Sequence, residues 1–405
     1  MKVKVYERIL DLLEAEGIRA IFGIPDPNFV HLFHLADERG WSVVSPHHEA
    51  SAGFMAEAAS RMTGRPPVAI GTLGPGIANL APAIMCARVE NSPVIFLGGQ
   101  RARITEQRVR RGRIQFVQQA PLVENSVKYS ASIEYADQTD EVIRHALRTA
   151  LSGTPGPAYI EYPSHVILED LEVEEALPPS GYRLVGQQAG ASSVARAVAA
   201  IEAASKPILL VGHGVHTARA GASVRELAEL LAAPVIQTSG GTSYIEGLED
   251  RTFPYGFSPA AIDAVVTCDL CLAIGTEIGE PVHYGKWRHW APNAASRTWV
   301  VVEQDPAATG VNRPVGFPGS GACNRADRTG NRVTIISSTR AYSRPSHTGA
   351  CASCSRIGPS TSSCITTMCS TISAIDHRSS AGLKFHCADD NPAVARSTAS
   401  PVSFT

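Results

Sequence analysis

No stretch of about 18 uninterrupted apolar residues occurs in this 405-residue chain, so no membrane span is expected from it. Charge of one sign is equally missing. With 36 Lys and Arg against 38 Asp and Glu, the chain has no excess that would draw it to nucleic acid or to an anionic membrane. The opening Met1-Lys-Val-Lys-Val-Tyr-Glu-Arg-Ile-Leu10 carries charged residues at a helical period in place of an apolar signal core, and a cytoplasmic protein is expected. A complete G-x-G-x-x-G dinucleotide fingerprint is absent too.

The last quarter of the chain has deficits of its own. From Gln304 to Thr405 there is no Glu, and Leu383 and Lys384 are the sole Leu and Lys. No 3.6-residue or 2-residue apolar period survives across 337–380, so no core can be built from that stretch. Six of the nine cysteines fall in this part, at Cys323, Cys351, Cys354, Cys364, Cys369 and Cys387. Cys351-Ala-Ser-Cys354 with Cys364 and Cys369 offers an S₄ zinc reading, because a C-x-x-C turn brings two thiolates to tetrahedral reach. Against it stand the awkward spacing of the second pair and the lack of apolar positions to build a metal-stapled core.

Before that point, apolar strand-like runs and amphipathic helical stretches alternate, the pattern of parallel sheets with helices on both faces. An α/β chain of two doubly wound domains is expected. Residues 1–168 form the first, 169–190 an acidic, Pro- and Gly-containing linker, 191–315 a Rossmann-like second domain, and 316–405 a low-complexity tail expected to be disordered.

Chemistry concentrates at two strand-to-helix junctions of the first domain. In Ser45-Pro-His-His-Glu49-Ala-Ser-Ala-Gly-Phe-Met-Ala-Glu57, a carboxylate stands where the Val43-Val44 strand gives way to a helix, a place where α/β proteins bind ligands. A first-turn Glu favoured by the helix dipole is the plainer alternative. In Val68-Ala-Ile-Gly-Thr72-Leu-Gly74-Pro-Gly76-Ile-Ala-Asn79, a second strand ends in a Gly-Pro-Gly turn that bares backbone N–H groups before another helix. The order and spacing resemble the pyrimidine-binding domain of thiamine-diphosphate enzymes of the acetolactate synthase type. Phe22-Gly-Ile-Pro25, Asn91-Ser-Pro-Val-Ile-Phe-Leu-Gly-Gly99, Gln115 thirteen positions before Lys128, and Gly156-Pro-Ala-Tyr-Ile-Glu-Tyr-Pro163 extend the resemblance. With the central domain, it spans roughly three quarters of the chain.

The resemblance implies thiamine diphosphate as cofactor, whose thiazolium C2 serves as a carbanion nucleophile. It makes Glu49 the catalytic carboxylate that shares a proton with the aminopyrimidine N1′, a task suited to a side chain set against an apolar wall. Pro25, Thr72, Gly76 and Asn79 match positions lining the pyrimidine pocket, although Pro25 and Gly76 also suit plain turns. Gln115 matches a catalytic Gln on the substrate side of the thiazolium; a solvated loop Gln is the alternative. His48 matches the family's His and His47 stands in place of its Arg, both with structural roles expected, as for Glu57. Asp26 stands where many relatives have Gly, which bears on the shape of the substrate pocket. FAD is compatible with the central domain, through Gly212-His-Gly214 and Gly275-Thr276, but no fingerprint supports it.

The family's diphosphate domain, with Gly-Asp-Gly and a later Asn holding Mg²⁺, has no counterpart here, since Gly-Asp-Gly occurs nowhere in the sequence. The family pattern stops just after Asp305–Pro314, which reads as the start of a wrong frame in a GC-rich gene. The expected function is decarboxylation of a small 2-oxo acid with carboligation, by a homodimer or tetramer that shares active sites between subunits. Negligible turnover is expected of this chain alone. The alternatives are a non-catalytic partner of an intact homologue and a lyase or decarboxylase of the benzaldehyde lyase, oxalyl-CoA decarboxylase or glyoxylate carboligase type.

Overall fold

The computed structural model describes residues 1–103, 115–184, 189–241, 245–313 and, for the backbone, 332–336. Chain order begins with β1 (Lys2–Lys4), α1 (Val5–Ala15), β2 (Ala20–Gly23), α2 (Val30–Glu38), β3 (Ser42–Val44), α3 (Glu49–Thr63), β4 (Val68–Gly71), α4 (Pro75–Val89) and β5 (Ile95–Gln100). It continues with β6 (Tyr129–Ser132), α5 (Thr139–Leu151), β7 (Ala158–Pro163) and β8 (Asp170–Glu172). Except for β1 and β8, these strands form one six-stranded parallel sheet in the order β3-β2-β4-β5-β7-β6. Val68-Ala-Ile-Gly71 is buried throughout because helices cover both faces, which is why such strands read as continuous apolar runs.

The two faces have separate cores. On one, α1, α2 and α5 bring Ile9, Leu13, Leu32 and Ile143 onto the sheet. On the other, α3 and α4 bring Ala52, Ala56, Ile77, Leu80 and Ile84 against Ala69, Phe96 and Tyr159. Within α1, Arg8 is buried among apolar neighbours and is held by Asp140, which accepts from Nε at 2.6 Å and from Nη2 at 2.5 Å. A bidentate carboxylate makes that burial tolerable; breaking the pair would strand a charge.

A second six-stranded parallel sheet follows α6 (Ala191–Glu202): β9 (Pro207–Val211), β10 (Val235–Gln237), β11 (Thr252–Pro254), β12 (Leu270–Ile274), β13 (Thr298–Glu303) and β14 (Arg332–Ile336). Its order, β11-β10-β9-β12-β13-β14, reverses direction at β9, as the first sheet does at β2. In such folds the strand ends flanking the reversal open a crevice. Among the described residues, no helix is long and apolar enough to cross a membrane.

Two segments differ from their sequence readings. The stretch read as a linker from residue 169 starts as strand β8, which pairs antiparallel with β1 through Lys2↔Glu172, Val3↔Leu171 and Lys4↔Asp170. Downstream, Arg183 donates to both oxygens of Glu16 at 2.8 Å, so this stretch is fastened to the first domain. The alternation Asp170-Leu-Glu172 is too short to signal a strand; pairing with the N-terminus supplies the missing order. In the stretch read as a disordered tail, Arg332-Val-Thr-Ile-Ile336 pairs in parallel with β13. A run of β-branched residues beside an otherwise open sheet edge accounts for that one strand. The remainder of 314–405, including the cysteines of the zinc reading and the frame-shift reading, lies outside the described residues.

The loop before β7 is clasped from two sides. Lys128 Nζ donates to the carbonyls of Ser152 at 2.8 Å and Thr154 at 2.7 Å. From the end of β13, Asp305 accepts from Thr154 N and Oγ1 at 2.8 Å each, while Gln304 donates to the Gly153 carbonyl at 2.6 Å. Burial, partly offset by Asp305, pushes the Lys128 ammonium down to about 8.

Two outcomes are expected. Between pH 8 and 10.5 the folded chain releases the Lys128 proton before the unfolded chain does, so stability rises with pH across that window. Urea midpoints of wild type minus those of Lys128→Met should climb over that range; a flat difference would contradict the shift. Gly53 lies where α3 crosses α4, and a Cβ there would come within 2.5 Å of Ala83 Cβ. Gly53→Ala gains about 1 kcal/mol of helix propensity but overpacks the crossing by about 1–3 kcal/mol. A net loss of stability is expected by chemical denaturation, and a stabilised variant would refute the close crossing.

Candidate functional site

The loops leaving β2, β3 and β4 emerge side by side, since Phe22 pairs with both Val44 and Ala69. This edge is the crevice of the first sheet, and Pro25, Glu49 and the Gly74-Pro75-Gly76 turn stand on its three loops. Helix α3 starts where it does because His48, in extended backbone, caps it: His48 Nδ1 accepts from Ala50 N at 3.1 Å. Glu49 is thereby the first helical residue, with its carboxylate at the positive end of the dipole, so the plain reading holds as far as it goes.

That reading leaves out the second helix. Glu49 Oε2 accepts from Asn79 Nδ2 of α4 at 2.9 Å, a bond that orients the carboxylate. Oε1 lies over Gly76, where a Cβ would stand 3.3 Å from Oε1 and 2.7 Å from Thr72 Cγ2. Among the described residues no donor reaches Oε1. Glu49 is partly buried among the described residues, more open than the apolar wall expected of it. Thr72, Gly76, Asn79 and Glu49 therefore converge, and Pro25 is exposed on the neighbouring loop.

Gly74 sets the shape of the turn. Its φ of 64° and ψ of −105° suit glycine alone, and a Cβ there would collide with the Gln115 carbonyl oxygen. Gln115 reaches the site by its backbone: its φ is +53° and its side chain is exposed. The side chain that sequence reasoning missed is Gln119. It is 1% exposed, its Oε1 accepts from Gly74 N at 2.8 Å, and its Nε2 donates to the Gly99 carbonyl at 2.7 Å and to Glu161 Oε2 at 2.9 Å. Gln100 and the Tyr159 hydroxyl also donate to Glu161 Oε2, each at 3.3 Å. Burial first, and the Glu161 charge second, hold the Tyr159 phenol well above its ordinary range, so it stays a donor. A signal existed in Ala158-Tyr-Ile-Glu161-Tyr-Pro163: one carboxylate in a buried strand demands donors from elsewhere in the chain.

Other expectations fall into place as structure. Glu57 accepts from Ser92 Oγ at 2.8 Å and faces Arg61 at 3.6 Å. Asp26 Oδ1 accepts from Asn28 N at 2.6 Å, closing its own loop. In the second sheet, Gly212 and Gly214 are pressed on Gly275: Gly214 N donates to the Gly275 carbonyl at 2.9 Å, and a Cβ on Gly214 would lie 2.7 Å from Gly275 Cα. Their bareness serves loop packing, so FAD gains no support from them. A cavity of about 340 Å³ lies beside them, lined by Met62, Val215, His216 and Arg219 among others. Among the described residues no group of three His, Cys, Asp or Glu side chains is placed to hold a metal.

Residues 3–122 match the thiamine pyrophosphate enzyme N-terminal TPP binding domain, and residues 194–326 match the central domain of the same enzymes. Acetolactate synthase of Bacillus subtilis is 30% identical over 61% of this chain and 43% of its own length. A probable acetolactate synthase large subunit of Methanocaldococcus jannaschii is 29% identical over 78% and 54%. Human 2-hydroxyacyl-CoA lyase 2 is 27% identical over 69% and 49%. The chain thus spans about half the length of the curated relatives it matches. Two domain matches in the family's order, covering more than half of the residues and falling one in each sheet domain, show that the chain belongs to the thiamine pyrophosphate enzyme family.

Proposed function

We propose that this chain supplies the pyrimidine half of a thiamine diphosphate site for 2-oxo acid decarboxylation and carboligation of the acetolactate synthase type. The observation that carries the reading is the Glu49 carboxylate, fixed by Asn79 at 2.9 Å beside a glycine whose missing Cβ leaves room for a flat ring. The cofactor fits these residues: Gly76 gives a bare cradle, and Oε1 is open to a ring nitrogen. When bound, thiamine diphosphate supplies a thiazolium carbon nucleophile that protein side chains cannot provide.

This chain's residues prepare that chemistry. Glu49 holds or receives a proton at the pyrimidine N1′, and Asn79 keeps the carboxylate from swinging away. The Gly74–Gly76 turn would let the ring approach the backbone, and Thr72 would border it. Gln115 lies next to the turn, on the side proposed for substrate. Mg²⁺ and the diphosphate would be held by a domain carrying Gly-Asp-Gly, a motif this sequence lacks. Pairing with an intact homologue would bring that domain to Glu49, as would a homodimer or tetramer of chains that carry it. The exposed apolar Phe54, Met55 and Met85 on α3 and α4 favour such pairing. Because relatives include both acetolactate synthases and 2-hydroxyacyl-CoA lyases, a lyase reaction is the second reading.

Titration of the 405-residue chain with thiamine diphosphate, followed by intrinsic fluorescence, tests the site. Glu49→Gln should weaken binding about tenfold or more, since a charge-assisted bond becomes a neutral one. Its far-ultraviolet circular dichroism should be unchanged, and unaltered affinity would refute the assignment. With Mg²⁺, thiamine diphosphate and pyruvate, the chain alone should consume no measurable 2-oxo acid. Cofactor-dependent loss of pyruvate would overturn the need for a second chain.

A further inference from the structure

We infer that Gln119 is a positioning residue that fixes the Gly74-Pro75-Gly76 turn, and through it Gly76 and Asn79, against Glu49; the role rests on the thiamine-site reading above. The geometry is that of a strut between three elements. One end of the amide accepts from the turn, the other donates to the end of β5 at Gly99 and to Glu161 on β7. An amide is suited to this because it presents an acceptor and a donor at opposite faces of one planar group. A carboxylate would place two acceptors before Glu161 and Gly99, and an apolar side chain would strand the Gly74 N–H.

The strut matters because it holds Gly74 by its N–H, while the Gly74 carbonyl is engaged only along its own helix, accepting from Ala78 N at 3.0 Å among the described residues. Gly74 occupies a conformation with no steric preference of its own, and Pro75 has no N–H to give. Behind Gln119, Glu161 is itself anchored by Gln100 and Tyr159, so the position of the turn is referred to the buried centre of the sheet. Gly98 shows how tight that anchor is, since a Cβ there would collide with the Tyr159 hydroxyl. Positioning through Gln119 thus links the C-terminal ends of β4, β5 and β7.

Hydrogen exchange by mass spectrometry on the ligand-free full chain tests this, with thiamine diphosphate titration as a second readout. In Gln119→Met, which keeps length and removes both polar atoms, exchange of the peptide covering 71–79 should rise about tenfold while the rest of both sheets stays near wild type. Thiamine diphosphate affinity should fall by a similar factor. Val94→Ala, a buried change in the same core but remote from the turn, should lower the thermal midpoint without altering affinity. If Gln119→Met does not fold, Gln119→Asn decides, since the shorter amide cannot span from Gly74 to Glu161. Unchanged exchange at 71–79, exchange raised equally across both sheets, or an equal loss of affinity in Val94→Ala would each overturn the inference. If wild type fails to bind thiamine diphosphate, the proposed function falls, and the exchange comparison still decides the role of Gln119.

Discussion

Backbone without side chains at Gly74 and Gly76 lets the loop after β4 press on the Gln115 carbonyl at one side and on the Glu49 carboxylate at the other, and the remaining site geometry follows from that approach. A Cβ at Gly74, 2.0 Å from the Gln115 carbonyl oxygen, would push the turn away by more than the slack of a hydrogen bond, and one at Gly76 would meet Thr72 Cγ2 at 2.7 Å. Asn79 could then no longer reach Glu49 at 2.9 Å, because it lies one turn further along the helix that Gly74 begins. The carboxylate, its orienting amide and the open face above Gly76 are therefore one unit with a single origin in the turn.

Buried polar groups behind the turn follow a consistent economy. Glu161 accepts from the neutral donors Gln100, Gln119 and Tyr159 among its partners, and leaving such a group without donors would cost about 1–3 kcal/mol or more. Arg297 in the second domain is the cationic counterpart: it donates to the carbonyls of Val265, Trp290 and Pro292 and to Cys268 Sγ, with its ring neighbour Trp290 beneath. In both cases neutral dipoles face a buried ionisable group, backbone carbonyls for Arg297 and side-chain amides with a phenol for Glu161. The difference is position, since Arg297 sits deep under α-helical and 3₁₀ turns whereas Glu161 lies at the strand ends where ligands bind.

Much of this was legible in the residues. Ala20–Gly23 and Pro207–Val211 are strands where apolar runs end in Gly, and Gly17, at φ +77°, follows the end of the first helix. Glu49, Thr72, Gly76 and Asn79 come together because strand-to-helix junctions in a parallel sheet all open at one edge. What escaped was long-range. Gln119 is a polar residue in a stretch without period, and its meaning arises from Gly74, 45 positions earlier, and Glu161, 42 later. The β1–β8 pair likewise joins segments about 168 residues apart in a register that no local pattern encodes.

In the proposed reading, Glu49 belongs to half a site that is well formed and still lacks its covering surface. Its carboxylate is oriented, yet it remains partly open, with Phe54 at 43% and Met55 at 44% exposure on the same helix and Met85 at 50% on the next. Helix α4 carries Asn79 and Arg88 as its only residues with polar side chains besides Cys86, so its outward face has little to gain from water. An apolar face flanking a carboxylate that would work best away from solvent calls for a covering surface, because water at the crevice would compete for Oε1 and weaken every hydrogen bond there. The proposed second chain would thus dry the site and bring the phosphate-holding groups to it in one step, which explains how a rigid turn, a fixed carboxylate and an exposed apolar helix pair belong to the same design.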